Sequence, residues 1–181
     1  LCQWAGVNNI WATASVGKAD IIRSYGAVAI DRHNENFVEI VRSQTNGRGV
    51  DHILDPIGGE HLKRSLSVLA QGGKLYTYGM SSAAPSSKRS LWKALKALRS
   101  RPRFDPMLMM SRNQGVFGVH MGTWNDEDVM QEQMQNILKG IKEGALTPII
   151  DSVYDAKDVA KAHQHIHDGK NIGKVLLKFI E

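Results

Sequence analysis

The segment Gly49-Val50-Asp51-His52-Ile53-Leu54-Asp55-Pro56-Ile57-Gly58-Gly59 decides the fold that we predict for this chain. Its apolar run ends at an aspartate and is closed by a proline and two glycines, which predicts a strand over 50–55 followed by a tight loop. Leucines then recur at helical spacing and predict a helix over 60–70. A strand, a loop and a helix in this order indicate one repeat of a parallel α/β sheet.

The same alternation continues in both directions along the chain. Before this segment, periodicity predicts strands over 9–14 and 27–30 and helices over 18–25 and 35–44. After it, the pattern predicts strands over 74–78, 115–119, 148–153 and 172–180 and helices over 91–98, 126–142 and 156–167. We therefore predict a doubly wound, Rossmann-like α/β fold with a parallel sheet. Such folds bind ligands beyond the carboxyl ends of their strands, although the small and polar residues found there are equally well explained as ordinary turns.

The composition excludes several classes of protein. Of the 181 residues, 42% are hydrophobic and 23% are charged, a globular mixture that excludes intrinsic disorder and fibrous repeats. The single cysteine, Cys2, excludes a disulfide framework and a thiolate zinc cage within this chain. No apolar run is long enough to span a membrane, and the first residues lack a secretory signal. We therefore expect a cytoplasmic protein, and the missing initiator Met suggests a piece of a longer one.

Positive charge is concentrated in one stretch. The formal net charge is +5, which favours anionic ligands. Residues 88–103 contain seven lysines and arginines and no acid, together with leucines at helical spacing. One interpretation is a helix that packs on the protein body with solvated cations. The other is a non-catalytic adaptor that uses this basic segment to bind anionic membranes or RNA.

The histidines do not predict a metal site. His163 and His167 lie four residues apart on a predicted helix, which is the spacing of a metal-binding pair. No glutamate follows in the zincin pattern and no third ligand is evident. A surface helix explains this pattern better, so we predict no bound metal.

Five segments together carry a family resemblance. They are residues 12–18, 49–59, 73–80, 117–120 and 171–177. In this order they resemble the medium-chain dehydrogenase/reductase superfamily, within it the zinc-independent quinone oxidoreductases, and most closely the VAT-1-like group. The resemblance implies NADP(H) as cofactor and hydride transfer to a quinone or an α,β-unsaturated carbonyl substrate. It also implies a homodimer formed through strand 116–119, and no nucleic acid partner.

The chain departs from this family at its beginning. The family's cofactor domain opens with a strand and a glycine-rich turn that holds the pyrophosphate, and this chain contains neither. It also lacks the GroES-like substrate domain. By analogy, residues 1–122 form an NADP-binding domain that is incomplete at its N-terminus, and residues 123–181 return to the absent substrate domain. We expect this chain to be inactive alone.

The resemblance also assigns cofactor-binding residues. No acid follows the strand at 9–14, where enzymes that prefer NAD place one, so the chain favours NADP. Ser15, Lys18 and Arg32 are the candidates for binding the ribose phosphate. The alternative is that Lys18 and Arg32 are ordinary solvated surface charges. The remaining candidates lie at strand ends or along the nicotinamide side: Asp55, Tyr78, Gly79, Met80, Phe117, Gly118, Val119, Asn171 and Lys174. Several of these are equally consistent with plain core residues, and the resemblance assigns no catalytic side chain.

Overall fold

A computed structural model of the chain describes residues 1–81 and 103–179. The described helices and strands are β1 (Trp11–Ala14), α1 (Ala19–Ser24), β2 (Val28–Asp31), α2 (Phe37–Gln44), β3 (Val50–Asp55), α3 (Glu60–Ser67), β4 (Leu69–Thr77), α4 (Pro106–Arg112), β5 (Gly115–Gly118), α5 (Glu127–Lys142), β6 (Ile150–Asp155), α6 (Val159–His167) and β7 (Lys174–Lys178). The predicted helix at 91–98 lies outside the described residues, as does the whole basic stretch except Arg103.

The strands form three short sheets with the orders β1-β2, β3-β4-β5 and β6-β7. Pairing is parallel between β3 and β4, between β4 and β5, and between β6 and β7. The amide of Val28 donates to the carbonyl of Ile10, and the amide of Arg32 donates to that of Ala14, so β1 and β2 also advance together. These pairings confirm the predicted α/β class with parallel strands.

The chain divides into two compact units. The first consists of Leu1–Ala12, Val16–Ala29 and Asp126–Glu181, and the second of Thr13–Ser15 and Ile30–Asn125. The second unit contains the β3-β4-β5 sheet with α2, α3 and α4. The first contains α5, α6 and the β6-β7 sheet, where His165 Nε2 lies 2.8 Å from Asp151 Oδ2 and links α6 to β6.

The core of the second unit lies between α3 and the sheet. Leu62, Leu69 and Leu75 are buried in one cluster, and Leu75 is fully inaccessible to solvent. Ile53 of β3 and Val116 of β5 pack against this cluster. The apolar stripe of α3 therefore fixes the helix over the centre of the sheet, with its N-terminus beside the carboxyl end of β3.

Two predicted boundaries need correction. The helix predicted over 60–70 ends at Ser67, and β4 begins at Leu69 instead of residue 74. The chain leaves the helix because the carbonyl of Val68 accepts the amide of Val50, which pairs this segment with β3. The sheet register then shifts between Val50 and His52, so the two glycines at 72–73 lie inside β4.

Helix α4 was not predicted. Asp105 caps it, because its carboxylate accepts the amides of Met107 at 2.9 Å and Leu108 at 3.4 Å. Pro106 occupies the first turn, where its missing N–H costs nothing. The pair Asp105-Pro106 is a helix-start signal and explains this helix.

Gly49 is required by the close approach of β3 to the start of β4. It has φ +84°, and a Cβ added there would lie 2.3 Å from the carbonyl oxygen of Val68. Gly47 has a similar φ of +79°, but a Cβ there would meet nothing within 4 Å. A side chain at Gly47 would therefore cost only backbone strain, whereas one at Gly49 would cost backbone strain and a steric collision.

We predict that Gly49→Ala destabilises the chain more than Gly47→Ala. Both changes place a Cβ on a left-handed residue, which costs about 1–2 kcal/mol, but only the former drives that Cβ into the backbone. Urea denaturation of the two variants measures the difference in the free energy of unfolding. Equal losses would contradict the close approach of β3 to Val68.

Candidate functional site

One cleft of about 290 Å³ lies in the second unit, and we call it the strand-end cleft. It is lined by Thr13, Arg32, His33, Glu35, Phe37, Ile57, His61, Arg64 and Ser81. These residues belong to β1 and to the segments that follow β2, β3 and β4. The cleft therefore opens where parallel strands end, which is the usual ligand-binding position of open α/β sheets.

The loop on one wall of the cleft is organised by the carboxylate of Asp55, which is 1% exposed. Its Oδ1 accepts the backbone amides of Ile57 at 2.8 Å and Gly58 at 3.0 Å. Its Oδ2 accepts the hydroxyl of Ser65 at 2.9 Å and lies 2.8 Å from Nδ1 of His61. One side chain at the end of β3 thus holds the loop that follows it and the first turns of α3.

These partners change the acidity of Asp55. Burial raises the pKa of this carboxyl group, but the hydrogen bonds from His61, Gly58, Ile57 and Ser65 together outweigh burial and lower the pKa to about 2. The carboxylate is therefore ionised at neutral pH. A buried charge of this kind is tolerated because it is fully hydrogen-bonded.

His61 connects this buried network to the cleft. Its ring stacks on Phe37 with 5.1 Å between the ring centroids. The guanidinium of Arg64 lies 4.6 Å from the centre of the same Phe37 ring and donates a hydrogen bond of 3.1 Å to Asn36 Oδ1. Planar groups from α2 and α3 therefore form one side of the cleft.

Asp55, His61 and Ser65 contain the residue types of a hydrolytic triad without its geometry. The hydroxyl of Ser65 donates to Asp55, and this serine is 1% exposed. A serine nucleophile needs an exposed oxygen whose proton passes to the histidine. The arrangement is therefore structural, and sequence reasoning missed it although His61 and Ser65 have the i, i+4 spacing of helical neighbours.

The loop after β4 rests on the loop after β3. The amide of Tyr78 donates to the carbonyl of Asp55, and the amide of Ser81 donates to that of Pro56, both at 3.1 Å. A Cβ at Gly79 would lie 2.6 Å from the Pro56 carbonyl oxygen. This packing requires a glycine at position 79 whether or not a cofactor approaches it.

The predicted phosphate residues occupy different places. Arg32 lines the strand-end cleft, and its Nε donates to Nε2 of His33 at 3.1 Å. Ser15 directly follows β1 and is partly buried in the second unit. Lys18 ends a short 3-10 turn in the first unit. Of the three, Arg32 is the residue that contacts the cleft.

The residues predicted to lie along the nicotinamide follow β4 or belong to β5 and its end. Tyr78 and Met80 are exposed, and Phe117 is exposed while its ring stacks on Tyr76 at 5.4 Å. Gly118 faces open space, because an added Cβ would meet nothing within 4 Å. The amide of Val119 donates to the Thr77 carbonyl and continues the pairing of β5 with β4.

The last two candidates belong to the first unit. The side-chain amide of Asn171 donates to the carbonyl of Gly173 at 2.9 Å, which closes the turn before β7. Lys174 is exposed at the first position of β7. Their predicted contact with a cofactor stays a prediction.

A second cleft of about 280 Å³ lies at the amino ends of β3 and β4 and is lined in part by Arg42, Arg48 and Arg112. Arg48 is neutralised there by a bidentate ion pair with Asp51. Arg42 donates to the carbonyl of Ser67. This end of a parallel sheet is not the usual ligand-binding end.

Residues 1–81 and 103–179 contain neither a cluster of metal ligands nor a candidate membrane-spanning helix. No group of three or more His, Cys, Asp or Glu side chains in these ranges is placed to hold a metal ion. No helix in the same ranges combines the length and the hydropathy that crossing a bilayer requires.

We predict that the Asp55 network stabilises the fold above pH 4 and that this contribution is lost in acid. The pKa of Asp55 is lowered from 3.8 to about 2 on folding, so the stabilisation is fully present above 3.8 and disappears as the pH falls through about 2. It amounts to about 2 kcal/mol. Urea denaturation between pH 6 and pH 2 should show a shallower loss of stability for Asp55→Asn than for the unmodified chain. Asp20→Asn, at a fully exposed side chain, is the control, and an unchanged slope in Asp55→Asn would contradict the assignment.

Comparison with known proteins gives the family context of this geometry. A family model described as zinc-binding dehydrogenase matches residues 25–177. The synaptic vesicle membrane protein VAT-1 homolog of Rattus norvegicus is 29% identical over 179 residues, which is 98% of this chain and 44% of the relative. The quinone oxidoreductase of Homo sapiens is 24% identical, with 97% of this chain and 49% of the relative covered. The chain thus spans less than half the length of these curated relatives.

Solved structures agree on the fold. The apo form of JamJ enoyl reductase superposes with a TM-score of 0.76 at 21% identity, over 99% of this chain and 49% of that one. A quinone oxidoreductase of Pseudomonas syringae gives a TM-score of 0.73 at 23% identity, over 97% of this chain and 51% of that one. The family model covers most of the chain and the parallel fold accompanies it, so this chain belongs to the zinc-binding dehydrogenase family of the medium-chain dehydrogenase/reductase superfamily.

Proposed function

We propose that this chain is the cofactor-binding part of an NADPH-dependent oxidoreductase that transfers hydride to a quinone or an α,β-unsaturated carbonyl compound. The observation that carries the proposal is the strand-end cleft, with two arginines at the carboxyl ends of parallel strands. Membership of the family supports a nicotinamide cofactor, and the quinone oxidoreductase and enoyl reductase relatives support the substrate class.

The charges of the cleft favour a phosphate-bearing ligand. Arg32 and Arg64 contribute two positive charges, against one carboxylate from Glu35. Glu35 is already engaged, because its Oε2 accepts the amide of Asp31 at 2.6 Å. The carboxylate of Asp31 accepts the amide of His33 and the side-chain amide of Asn34, and these bonds lower its pKa. These acids keep their negative charge, but their oxygens are hydrogen-bonded within their own turn and no ion pair joins them to Arg32 or Arg64 among the described residues, so the N–H donors of the arginines can bind an anion.

The size of the cleft limits what it holds. A volume of about 290 Å³ is at the lower end of small-molecule sites, which suits the adenosine end of a dinucleotide and not the whole molecule. We propose that the adenosine and its 2′-phosphate occupy this cleft. The nicotinamide end would then extend toward Tyr78, Met80, Phe117, Gly118 and Val119, where Gly118 leaves room for close approach.

A bound nicotinamide cofactor would supply the hydride, and the residues of this chain would orient it. Gly79 and Asp55 contribute through the loops that they hold together, in addition to any direct contact. Lys18, Ser15, Asn171 and Lys174 remain proposed contacts, and no side chain is proposed to act as acid, base or nucleophile. The absence of a disulfide framework fits the cytoplasm as the proposed compartment.

The described residues do not fit the zinc ion that the family description implies. Within residues 1–81 and 103–179 no three potential ligands converge. The single cysteine, Cys2, is therefore not part of a three-ligand metal site within these residues. No residue of this chain is proposed to bind zinc.

We predict that Arg32→Ala weakens NADPH binding about tenfold and leaves NADH binding almost unchanged. The loss is that of one charge-assisted hydrogen bond at an exposed site. Lys18→Ala should act in the same direction, and added salt should reduce both effects. Titration calorimetry with each dinucleotide measures the dissociation constants.

The matched control is Arg48→Ala, which removes an arginine from the cleft at the other end of the strands. It should leave both dissociation constants unchanged. Equal weakening of NADPH and NADH by Arg32→Ala would contradict a phosphate contact, and stronger binding of NADH by the unmodified chain would refute the preference for NADP.

We also propose a homodimer through β5. This strand stands at one end of the β3-β4-β5 order, and Phe117 is 46% exposed on it. Because the amide of Val119 points toward Thr77, the amide of Gly118 points away from β4. An uncharged edge whose outward amides have no partner within residues 1–81 and 103–179 is suited to pairing with a second copy across a twofold axis.

We predict that Gly118→Pro converts the dimer into a folded monomer. Proline removes an outward N–H and leaves the pairing of β5 with β4 in place. Sedimentation velocity at micromolar concentration measures the change, and Gly118→Ala, which keeps the N–H, should remain dimeric. A monomeric unmodified chain would contradict the proposed dimer.

A further inference from the structure

His61 has one ring nitrogen with a hydrogen-bond partner and one, which we call the open nitrogen, without a partner among the described residues. Its Nδ1 lies 2.8 Å from Asp55 Oδ2, whereas no partner for Nε2 is found among the described residues. The ring lines the strand-end cleft and is held in place by its stack on Phe37. The open nitrogen lies on the ring edge opposite the buried carboxylate.

The network determines which nitrogen carries the proton. Asp55 is ionised at neutral pH, because its pKa is lowered to about 2, so its oxygens only accept hydrogen bonds. The Ser65 hydroxyl already donates to Oδ2 at 2.9 Å. His61 must therefore donate through Nδ1–H, and in the neutral imidazole Nε2 is an acceptor.

Two other groups that line the cleft have the opposite character. Arg32 and Arg64 are donors only, and the carboxylate of Glu35 is tied to the amide of Asp31. An acceptor fixed in the same cleft as two guanidinium groups matches a purine that carries an amino group. Ring nitrogens of such a base accept from Arg64 or its face stacks on that guanidinium, its amino group donates, and Arg32 is left for the phosphate.

Resting on the proposed function, we infer that Nε2 of His61 accepts a hydrogen bond from the exocyclic amino group of adenine. His61 is then a specificity-determining residue that selects a 6-aminopurine over a 6-oxopurine. A 6-oxo base would oppose its carbonyl oxygen to the Nε2 lone pair, with no proton between two acceptors. The positioning residue is Asp55, which acts through His61.

The tautomer can be measured without any ligand. Two-bond ¹H–¹⁵N correlation spectra of the 181-residue chain at about pH 8, where free imidazole is neutral, distinguish protonation at Nδ1 from protonation at Nε2. We expect the proton on Nδ1 of His61. A proton on Nε2 would overturn the inference and leave the proposed cofactor untouched.

The selectivity is measured with NADPH and its hypoxanthine analogue, which differ at the 6-position of the purine. We expect the unmodified chain to bind NADPH about tenfold more tightly, as for one hydrogen bond replaced by an unpaired acceptor. His61→Phe keeps an aromatic ring against Phe37 and should bind both dinucleotides equally. Equal binding by the unmodified chain would overturn the inference alone, whereas no binding of either would overturn the proposed function with it.

Asp55→Asn provides the sharpest variant. Its amide oxygen still accepts the amides of Ile57 and Gly58, which turns the NH₂ group toward His61 and moves the imidazole proton to Nε2. The cleft would then present a donor, and the analogue should bind more tightly than NADPH. A folded Asp55→Asn chain that still prefers NADPH would overturn the inference. If this variant does not fold, the comparison with His61→Phe decides.

Discussion

Four hydrogen bonds to the buried carboxylate of Asp55 hold together the part of the structure on which the candidate site depends. They fix the turn after β3, the first turns of α3 and the ring of His61 at once. A buried charge is costly unless its partners are in place, so these elements are ordered together or not at all. The cleft wall is consequently a product of folding and needs no ligand to form.

Some glycines of the second unit are required by close packing of the backbone, whereas others have open space beside them. Gly49 and Gly79 have no space for a Cβ, because carbonyl oxygens of neighbouring segments lie within 2.3 and 2.6 Å of where it would be. Gly118 has open space instead. A glycine at a strand end therefore does not by itself indicate a ligand, and the surrounding contacts decide which explanation applies.

Cations at the two ends of the β3-β4-β5 sheet differ in their availability to an anion. At the amino end, Arg48 is paired with Asp51, which neutralises it. Beyond the carboxyl ends, Arg32 after β2 and Arg64 on α3 donate to a histidine nitrogen and an amide oxygen, and the carboxylates of Asp31 and Glu35 lie nearby. Charge that is not compensated within the protein attracts phosphate more strongly. The ion pair thus removes Arg48 from competition for an anion, whereas Arg42 donates to a neutral carbonyl, so the general rule for α/β sheets favours the carboxyl end more than charge does.

The sequence predicted local structure better than tertiary structure. The strand over 50–55 is confirmed residue for residue, because an apolar run closed by proline and glycine is decided within a few positions. The predicted end of α3 was wrong. Leu69 and Ala70 fit a helical pattern, but both are buried in β4, which pairs with β3. No local sequence pattern indicates which strand a given segment will pair with.

The candidate site was predicted in outline only. Arg32 was identified as a possible phosphate contact and lines the cleft. His61 and Arg64 were not identified, although both lie on the helix that follows the aspartate of the deciding segment. Their roles depend on Phe37, which comes from another helix and meets them through the packing of α2 on α3. Contacts of this kind between distant segments cannot be deduced from spacing along one helix.

The central claim is that the strand-end cleft binds the phosphate-bearing adenosine end of a nicotinamide cofactor. The most direct measurement is an NMR titration of the 181-residue chain with adenosine 2′,5′-bisphosphate, which carries that end alone and requires no catalysis. The account predicts saturable shifts at Arg32, Ile57, His61, Arg64 and Ser81, which line the cleft. Shifts confined to Arg42, Arg48 and Arg112 at the amino ends of the strands, or no saturable shifts, would contradict it.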